Sequence, residues 1–324
     1  MNPLSRREFL PALAGAALAQ PREAQPPQAK PLRGVFIILA TPYTQKKEVD
    51  YEDLAREAEF AERCGVQGMV WPQLASEYAQ LSVQERMRGM DTLAKAARGK
   101  RAALVLGIQG PNTAQALDYA RKAEELAPDA VIATPPGQGR SLDDVREYYS
   151  ALARAVKRPC FIQTTGGAKG LNLPVDFIVS LAREFPHLAY VKEELEPVLE
   201  RMRQLDAARP VIRGIFGGRA GRAMLHEMRL GMDGNMPGAA YADIYVQIWS
   251  LYQGGRQAEA RDLFARLLLM INVAEQAPSV ILYILHKRGV FKTIQSRQKS
   301  VELSRTQIEE IEFCWAALKP YLKG

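Results

Sequence analysis

The sequence is poor in cysteine and histidine. Its 324 residues include three of each, widely separated: Cys64, Cys160, Cys314, His187, His226 and His286. An odd number of distant cysteines argues against a fold held together by a disulfide framework. The histidines have no metal-ligand spacing with one another or with the cysteines, so the sequence predicts no metal site.

Long hydrophobic runs and a strong excess of one charge are also missing. An apolar stretch of about eleven residues near the N-terminus is too short to span a bilayer comfortably, so we predict no membrane span in the mature chain. Lys and Arg total 43 against 36 Asp and Glu, a formal net charge of +7. No basic stripe interleaved with aromatic residues accompanies this mild excess, which argues against nucleic-acid binding.

The N-terminal segment has the features of an export signal. Residues 1–19 contain paired arginines, a Phe-Leu pair, a short apolar run and a small-x-small cleavage pattern: Arg6, Arg7, Phe9, Leu10 and Ala17-Leu18-Ala19. This order predicts a twin-arginine signal peptide, although an ordinary amphipathic helix is the alternative. We therefore expect a periplasmic protein, or a cytoplasmic one if the signal is misread. Residues 20–33 are rich in proline and glutamine and predict an extended linker.

From residue 34 onward, short apolar runs alternate with segments of helical period. Eight runs predict buried strands, the last being the weakest: GVFIILATP, VQGMVWP, RAALVLGIQG, DAVIATPP, RPCFIQTTGG, LAYVKEE, PVIRGIFGG and MDGNMPG. Between them, apolar residues recur at spacings of three and four, as at Leu54, Ala58 and Ala61. Ser82 and Glu85 form a predicted capping box at the start of one helix.

This alternation predicts a (β/α)₈ TIM barrel over residues 34–250, followed by a C-terminal helical extension over residues 251–324. A doubly wound open sheet is the alternative. It would be favoured by a Gly-x-Gly-x-x-Gly motif after the first strand, where this chain has LATPYTQ. In a barrel, functional residues lie at the carboxyl ends of the strands.

One lysine interrupts a predicted buried strand. Lys192 directly follows Leu-Ala-Tyr-Val near the end of the sixth run. Burying an ammonium group is costly unless the group is paired or loses its proton. Because side chains alternate along a strand, we expect Lys192 and Glu194 to share the barrel interior and Glu193 to face the helices. A desolvated neutral lysine can attack a carbonyl group, and a structural Lys–Glu ion pair is the alternative.

Four segments match, in order, the pattern of one enzyme family. GVFIILATPYTQKKEVDYEDL is similar to the family's opening, CGVQGMVWPQLASEYAQLSVQER to its second unit, TPPGQGRSLDDV to its fourth and LAYVKEE to its sixth. Over about residues 33–290, the chain resembles the dihydrodipicolinate synthase and N-acetylneuraminate lyase family. The resemblance implies a homotetrameric or homodimeric barrel that acts on 2-oxo acids through an imine at Lys192, with no metal and no organic cofactor.

Departures from the family pattern predict a different specificity. Where the family usually has Gly-Thr-Thr-Gly-Glu, residues 73–77 read QLASE, so only the glutamate matches. The tyrosine that the family has after Pro-Pro or Pro-Tyr is absent, and Gly-Gln stands at residues 137–138. QTTGG at residues 163–167 replaces the usual Tyr-Asn-x-Pro, and the family's arginine has no clear counterpart. We therefore do not expect lysine-pathway synthase activity.

The predicted catalytic residues are Lys192, which forms the imine, and Glu194, which moves the proton at C3. The predicted substrate-binding residues are Thr41, Ser76, Glu77, Gln138, Thr164, Thr165, Gly217, Gly218 and Asn235. VKEELEP and HEMRLGMDGNMPGAA resemble, more weakly, the dehydratase branch of the family that acts on 2-keto-3-deoxy sugar acids. We expect a Schiff-base aldolase or dehydratase for pyruvate or such a sugar acid. The alternative is an exported, catalytically inactive barrel that binds an organic acid.

Overall fold

The structure is a computed structural model that describes residues 29–277, 279–298 and 301–323. The predicted export signal and most of the predicted linker lie outside the described residues. Eight parallel strands close into a barrel in chain order. They are β1 Gly34–Ile38, β2 Gly68–Trp71, β3 Ala103–Gly107, β4 Ala130–Ala133, β5 Cys160–Gln163, β6 Tyr190–Glu193, β7 Gly214–Gly217 and β8 Gly234–Asn235.

Helices connect the strands and surround the barrel. They are α1 Tyr51–Cys64, α2 Val83–Ala96, α3 Thr113–Leu126, α4 Leu142–Ala155, α5 Val175–Glu184, α6 Val198–Ala207, α7 Met224–Arg229, α8 Ala242–Gln253, α9 Gln257–Gln276, α10 Val280–Lys287 and α11 Arg305–Ala316. The predicted TIM barrel is therefore confirmed, and its eighth strand, the weakest in the sequence, has only two residues. Beyond α8, α9 packs against α8, α10 and α11.

Most strand residues are apolar, on both faces of the sheet, and both faces are covered by other residues. Inside the barrel, Phe36, Phe161 and Phe216 pack with ring centroids 5.1–6.4 Å apart. A Cβ atom at Gly68 would lie 2.2 Å from the Phe36 ring, so glycine makes room for that ring. Outside the barrel, a larger apolar layer joins the strands to the helices. Burial of one such phenylalanine stabilises the fold by about 1.5–3 kcal/mol.

Local signals fix where several helices begin. Ser82 accepts a hydrogen bond from the Glu85 N–H while Glu85 accepts one from the Ser82 N–H, which confirms the predicted capping box. Asp50 caps α1 by accepting from two backbone N–H groups. Each cap contributes on the order of 1 kcal/mol. No helix in the described part of the chain is long and apolar enough to cross a bilayer.

The C-terminal part of the chain folds back over the open end of the barrel. In residues 292–298, Thr293 donates a hydrogen bond to the Tyr43 carbonyl, and Arg297 forms an ion pair with Glu85 at 2.7 Å. The Arg297 guanidinium also lies 4.7 Å from the centroid of the Tyr43 ring. These contacts hold the loop after β1 beside the carboxyl ends of the strands.

Candidate active site

A cavity of about 210 Å³ opens at the carboxyl end of the barrel. Its walls come from the ends of β1 and β6, from the segments after β1, β2, β7 and β8, and from α8, α9 and α10. Lys192 and Glu194 both line this cavity. Strand pairing places Lys192 between Gln163 of β5 and Phe216 of β7, near the carboxyl end of β6.

Lys192 and Glu194 form an ion pair inside the barrel. Lys192 Nζ lies 3.3 Å from Glu194 Oε1, and the two side chains are 6% and 10% exposed. The alternation expected for β6 is therefore the one that the structure has. The intervening Glu193 faces away from the cavity and toward α6, as described below.

Three donors besides Lys192 fix the Glu194 carboxylate. Gln163 Nε2 lies 2.7 Å and Thr165 Oγ1 2.6 Å from Glu194 Oε2, and the Arg219 backbone N lies 2.9 Å from Oε1. A Cβ atom at Gly218 would lie 2.1 Å from Glu194 Oε1, so glycine at this position leaves room for the carboxylate. The Glu194 carboxylate is therefore held in one position by contacts with several neighbouring residues.

These contacts also determine the charge of Glu194. Burial alone would raise the pKa of this carboxyl group, but the Lys192 charge and the hydrogen bonds from Thr165 and Arg219 outweigh burial and lower its pKa. Glu194 is therefore ionised at neutral pH. An ionised carboxylate that lines a cavity can accept a proton from a molecule bound there.

Glu193 forms a second ion pair on the outer face of β6. Its Oε2 lies 3.0 Å from Nη2 of Arg201 in α6, and its side chain has no exposed area. Thr164 Oγ1 donates a hydrogen bond to Glu193 Oε1 at 2.8 Å and accepts one from the Glu194 N–H at 2.9 Å. The predicted site residue Thr164 therefore lies in the barrel wall and links the two glutamates.

Two other predicted substrate-binding residues, Thr41 and Glu77, line the cavity. The Thr41 hydroxyl donates to the Ser76 carbonyl and accepts from the indole of Trp71 at 3.1 Å. The Glu77 carboxylate accepts from the Ser296 hydroxyl and from the Arg297 N–H. Both side chains therefore already form hydrogen bonds with other residues of the protein.

The remaining predicted residues lie outside the cavity lining. The Ser76 hydroxyl is buried and donates to the Leu39 carbonyl. Gln138 is exposed, with its side chain 3.5 Å from that of Asn112. Asn235 donates to Glu227, and the absence of a side chain at Gly217 leaves room for the same carboxyl group.

Glu227 is a buried carboxyl group that the sequence analysis did not identify. Burial raises its pKa to about 8; the hydrogen bond from Asn235 acts in the opposite direction, and the nearby negative charge of Glu194 adds to the increase. Glu227 lies in α7, a helix of only six residues. Such a short helix has too little periodicity to show which of its side chains is buried.

The described ranges contain no group of three or more His, Cys, Asp or Glu side chains arranged to hold a metal ion. Lys192 and Glu194 place an amine and a fixed carboxylate beside the cavity.

Comparison with known proteins identifies the family. The model of the dihydrodipicolinate synthetase family matches residues 31–315. The chain belongs to this family. A 4-hydroxy-tetrahydrodipicolinate synthase of Chlorobium chlorochromatii is 28% identical over 267 residues, which cover 81% of this chain and 89% of the relative. A DapA-like lyase of Thermofilum pendens is 25% identical and covers 76% of this chain and 83% of its own.

Solved structures have the same fold. Dihydrodipicolinate synthase from Rhodopseudomonas palustris superposes with a TM-score of 0.81 at 23% identity, covering 88% of this chain and 97% of the other. CdNal from Clostridium difficile, solved in complex with mannosamine, gives a TM-score of 0.78 at 20% identity, covering 90% and 100%. At these identities the structural likeness establishes the barrel, while membership of the family supports a lyase activity.

Proposed function

We propose that this protein is a Schiff-base lyase for a 2-oxo acid, in which Lys192 is the amine that forms the imine. One observation carries the proposal: a buried lysine at the carboxyl end of the sixth strand faces a cavity and lies 3.3 Å from a fixed carboxylate. A lysine at this position also matches the Schiff-base lysine of the family that the sequence resembles.

The geometry supports separate chemical roles for Lys192 and Glu194. Lys192 releases a proton to solvent, and the neutral amine attacks C2 of the substrate. The hydroxyl group of the resulting carbinolamine takes up a proton from solvent and leaves as water, which gives a protonated imine that accepts the electron pair of the bond broken next. Glu194, or a water molecule that it orients, then moves the proton at C3. Cleavage of the C3–C4 bond and dehydration are both compatible with this sequence.

We do not propose the synthase reaction named for the relatives. Leu74 and Ala75 occupy the positions where the family usually has two threonines, and neither side chain can relay a proton. The same substitutions favour a second candidate function, a barrel that binds an organic acid without transforming it. The buried amine beside Glu194 favours the enzyme, because a binding protein has no need of an imine-forming group.

Borohydride trapping tests the proposal. We expect pyruvate and sodium borohydride to add one reduced adduct to the protein, on the peptide that contains Lys192, as measured by mass spectrometry. Lys192→Ala and Lys192→Met should form no adduct, while the matched control Lys95→Ala, at an exposed position of α2, should be labelled like the wild type. Circular dichroism shows whether each variant is folded. Absence of an adduct in the wild type, or its persistence in a folded Lys192 variant, would contradict the proposal.

A further inference from the structure

Away from Lys192 and Glu194, most of the surface of the cavity walls is apolar. Leu74 lies at the mouth, where its side chain is 44% exposed, and Met236 lies deeper, 2% exposed. The opposite wall is formed by Ile271 of α9 and by Ile281 and Leu282 of α10. The C-terminal helices therefore contribute directly to the surface that a substrate tail would contact.

Most polar groups around the cavity are bound to the protein itself. Besides Thr41 and Glu77, the Tyr245 hydroxyl donates to the Ala220 carbonyl at 2.7 Å, and the Arg219 guanidinium pairs with Glu196. Among the described residues that line the cavity, the buried side-chain atoms without a hydrogen-bond partner are Gln73 Oε1 and the Tyr241 hydroxyl. Both atoms are buried, and besides Lys192 and Glu194 the accessible polar side chain of the lining is that of Arg219, which is 44% exposed. One such side chain offers few partners to the several hydroxyl groups of a sugar-acid chain.

We infer that the substrate is a 2-oxo acid whose carbon chain beyond C3 is apolar, an aryl or branched alkyl group. This inference rests on the proposed function, since it assigns the 2-oxo end to Lys192. Burying an apolar tail against these walls removes apolar surface from water and stabilises the complex. A hydroxyl group that is buried there without a partner destabilises the complex, because it loses its hydrogen bonds to water. The space is sufficient, because an apolar cavity of roughly 150 Å³ accommodates benzene and this one measures about 210 Å³.

Trapping with two probes tests the inference. Half-saturation of borohydride labelling at Lys192 is measured for 4-phenyl-2-oxobutanoate and for 2-keto-3-deoxygluconate, with pyruvate as the reference. We expect the phenyl compound to half-saturate at a concentration roughly tenfold or more below that of the sugar acid, as hydrophobic pockets discriminate by about 10–200-fold. Equal or reversed concentrations would overturn the inference.

Substitutions in the cavity wall test which side chains produce the preference for a phenyl tail. Leu74→Thr and Ile281→Gln should each reduce the phenyl preference about fivefold, because each places a polar group in the apolar wall. Leu269→Gln is the matched control, since Leu269 is an exposed leucine of α9 outside the cavity lining. It should leave the preference unchanged. Labelling by pyruvate shows that each variant retains its folded site, and an undiminished preference in both cavity variants would contradict the assignment of the wall.

Probes that cannot form an imine separate this inference from the proposed function. Calorimetry with 4-phenylbutanoate and gluconate reports the tail preference without the chemistry of Lys192, and we expect the phenyl compound to bind more tightly. If pyruvate gives no adduct, the proposed function fails, and calorimetry still decides the nature of the tail. If pyruvate gives an adduct but neither phenyl probe is preferred, the inference fails and the proposed function stands.

Discussion

The two faces of β6 carry two buried ion pairs with similar geometry. On the outer face, Glu193 lies 3.0 Å from Arg201; on the inner face, Glu194 lies 3.3 Å from Lys192. The Glu193 side chain has no exposed area and that of Arg201 is 14% exposed, and Arg201 also donates to the Leu173 carbonyl at 2.8 Å, which fastens α6 to the chain before α5. The inner pair has the cavity beside it.

This difference shows what makes a buried charge pair a candidate for catalysis. Desolvation of both ions offsets much of their attraction, so burial and distance alone do not separate a structural pair from a functional one. The chemistry of the cation does separate them. Lys192 can lose its proton and attack a carbonyl group in the cavity inside the barrel, whereas the guanidinium of Arg201 stays protonated. Glu193 itself lines a separate pocket outside the barrel, where it faces no lysine.

Neutralising the inner carboxylate should have the largest effect. We expect Glu194→Gln to keep borohydride trapping by pyruvate but to reduce turnover roughly 10²–10⁴-fold, because an amide cannot accept the proton at C3. Steady-state kinetics with a cleavable or dehydratable 2-oxo acid, together with trapping, separate imine formation from the later proton transfer. Turnover within a few-fold of the wild type would remove Glu194 from the mechanism.

The sequence was sufficient to predict the barrel and the inner face of β6. Eight apolar runs alternating with amphipathic segments predicted the eight strands, and the period of two residues along β6 predicted that Lys192 and Glu194 face the same way. Both predictions depend on patterns among residues that are close together in the sequence. The family resemblance was needed to assign an imine to that lysine.

The hydrogen-bond partners in the site could not be predicted in this way. Nothing in the sequence shows that Thr164 donates to Glu193 or that Ser296 donates to Glu77, because these contacts join residues 29 and 219 positions apart. The apolar wall of α9 and α10 was missed for the same reason. Those helices were predicted, but their packing over the barrel mouth depends on tertiary contacts.

Neutralising the outer carboxylate should affect stability and leave the chemistry intact. We expect Glu193→Gln to lower the free energy of unfolding by about 3 kcal/mol, since Arg201 then lacks its anionic partner in a largely buried position. Urea unfolding measures this change. Pyruvate trapping and turnover per folded molecule should remain close to wild type, in contrast to Glu194→Gln. A loss of turnover as large as that of Glu194→Gln would mean that the two faces of the strand do not have separate roles.

A third buried carboxyl group extends the comparison, because Glu227 has no salt bridge to any described residue. Burial raises its pKa to about 8, so it is protonated in the folded protein at pH 5.5–7 and ionised in the unfolded chain. The folded state then binds one more proton than the unfolded state, and stability falls as pH rises. From pH 5.5 to 7, we expect the wild type to lose about 2 kcal/mol relative to Glu227→Gln, whose amide does not titrate. Urea unfolding of both proteins at the two pH values measures this difference, which cancels the titration of all other groups. If the two proteins respond equally to pH, Glu227 is ionised in the folded state despite its burial, and a cation or water must stabilise it there.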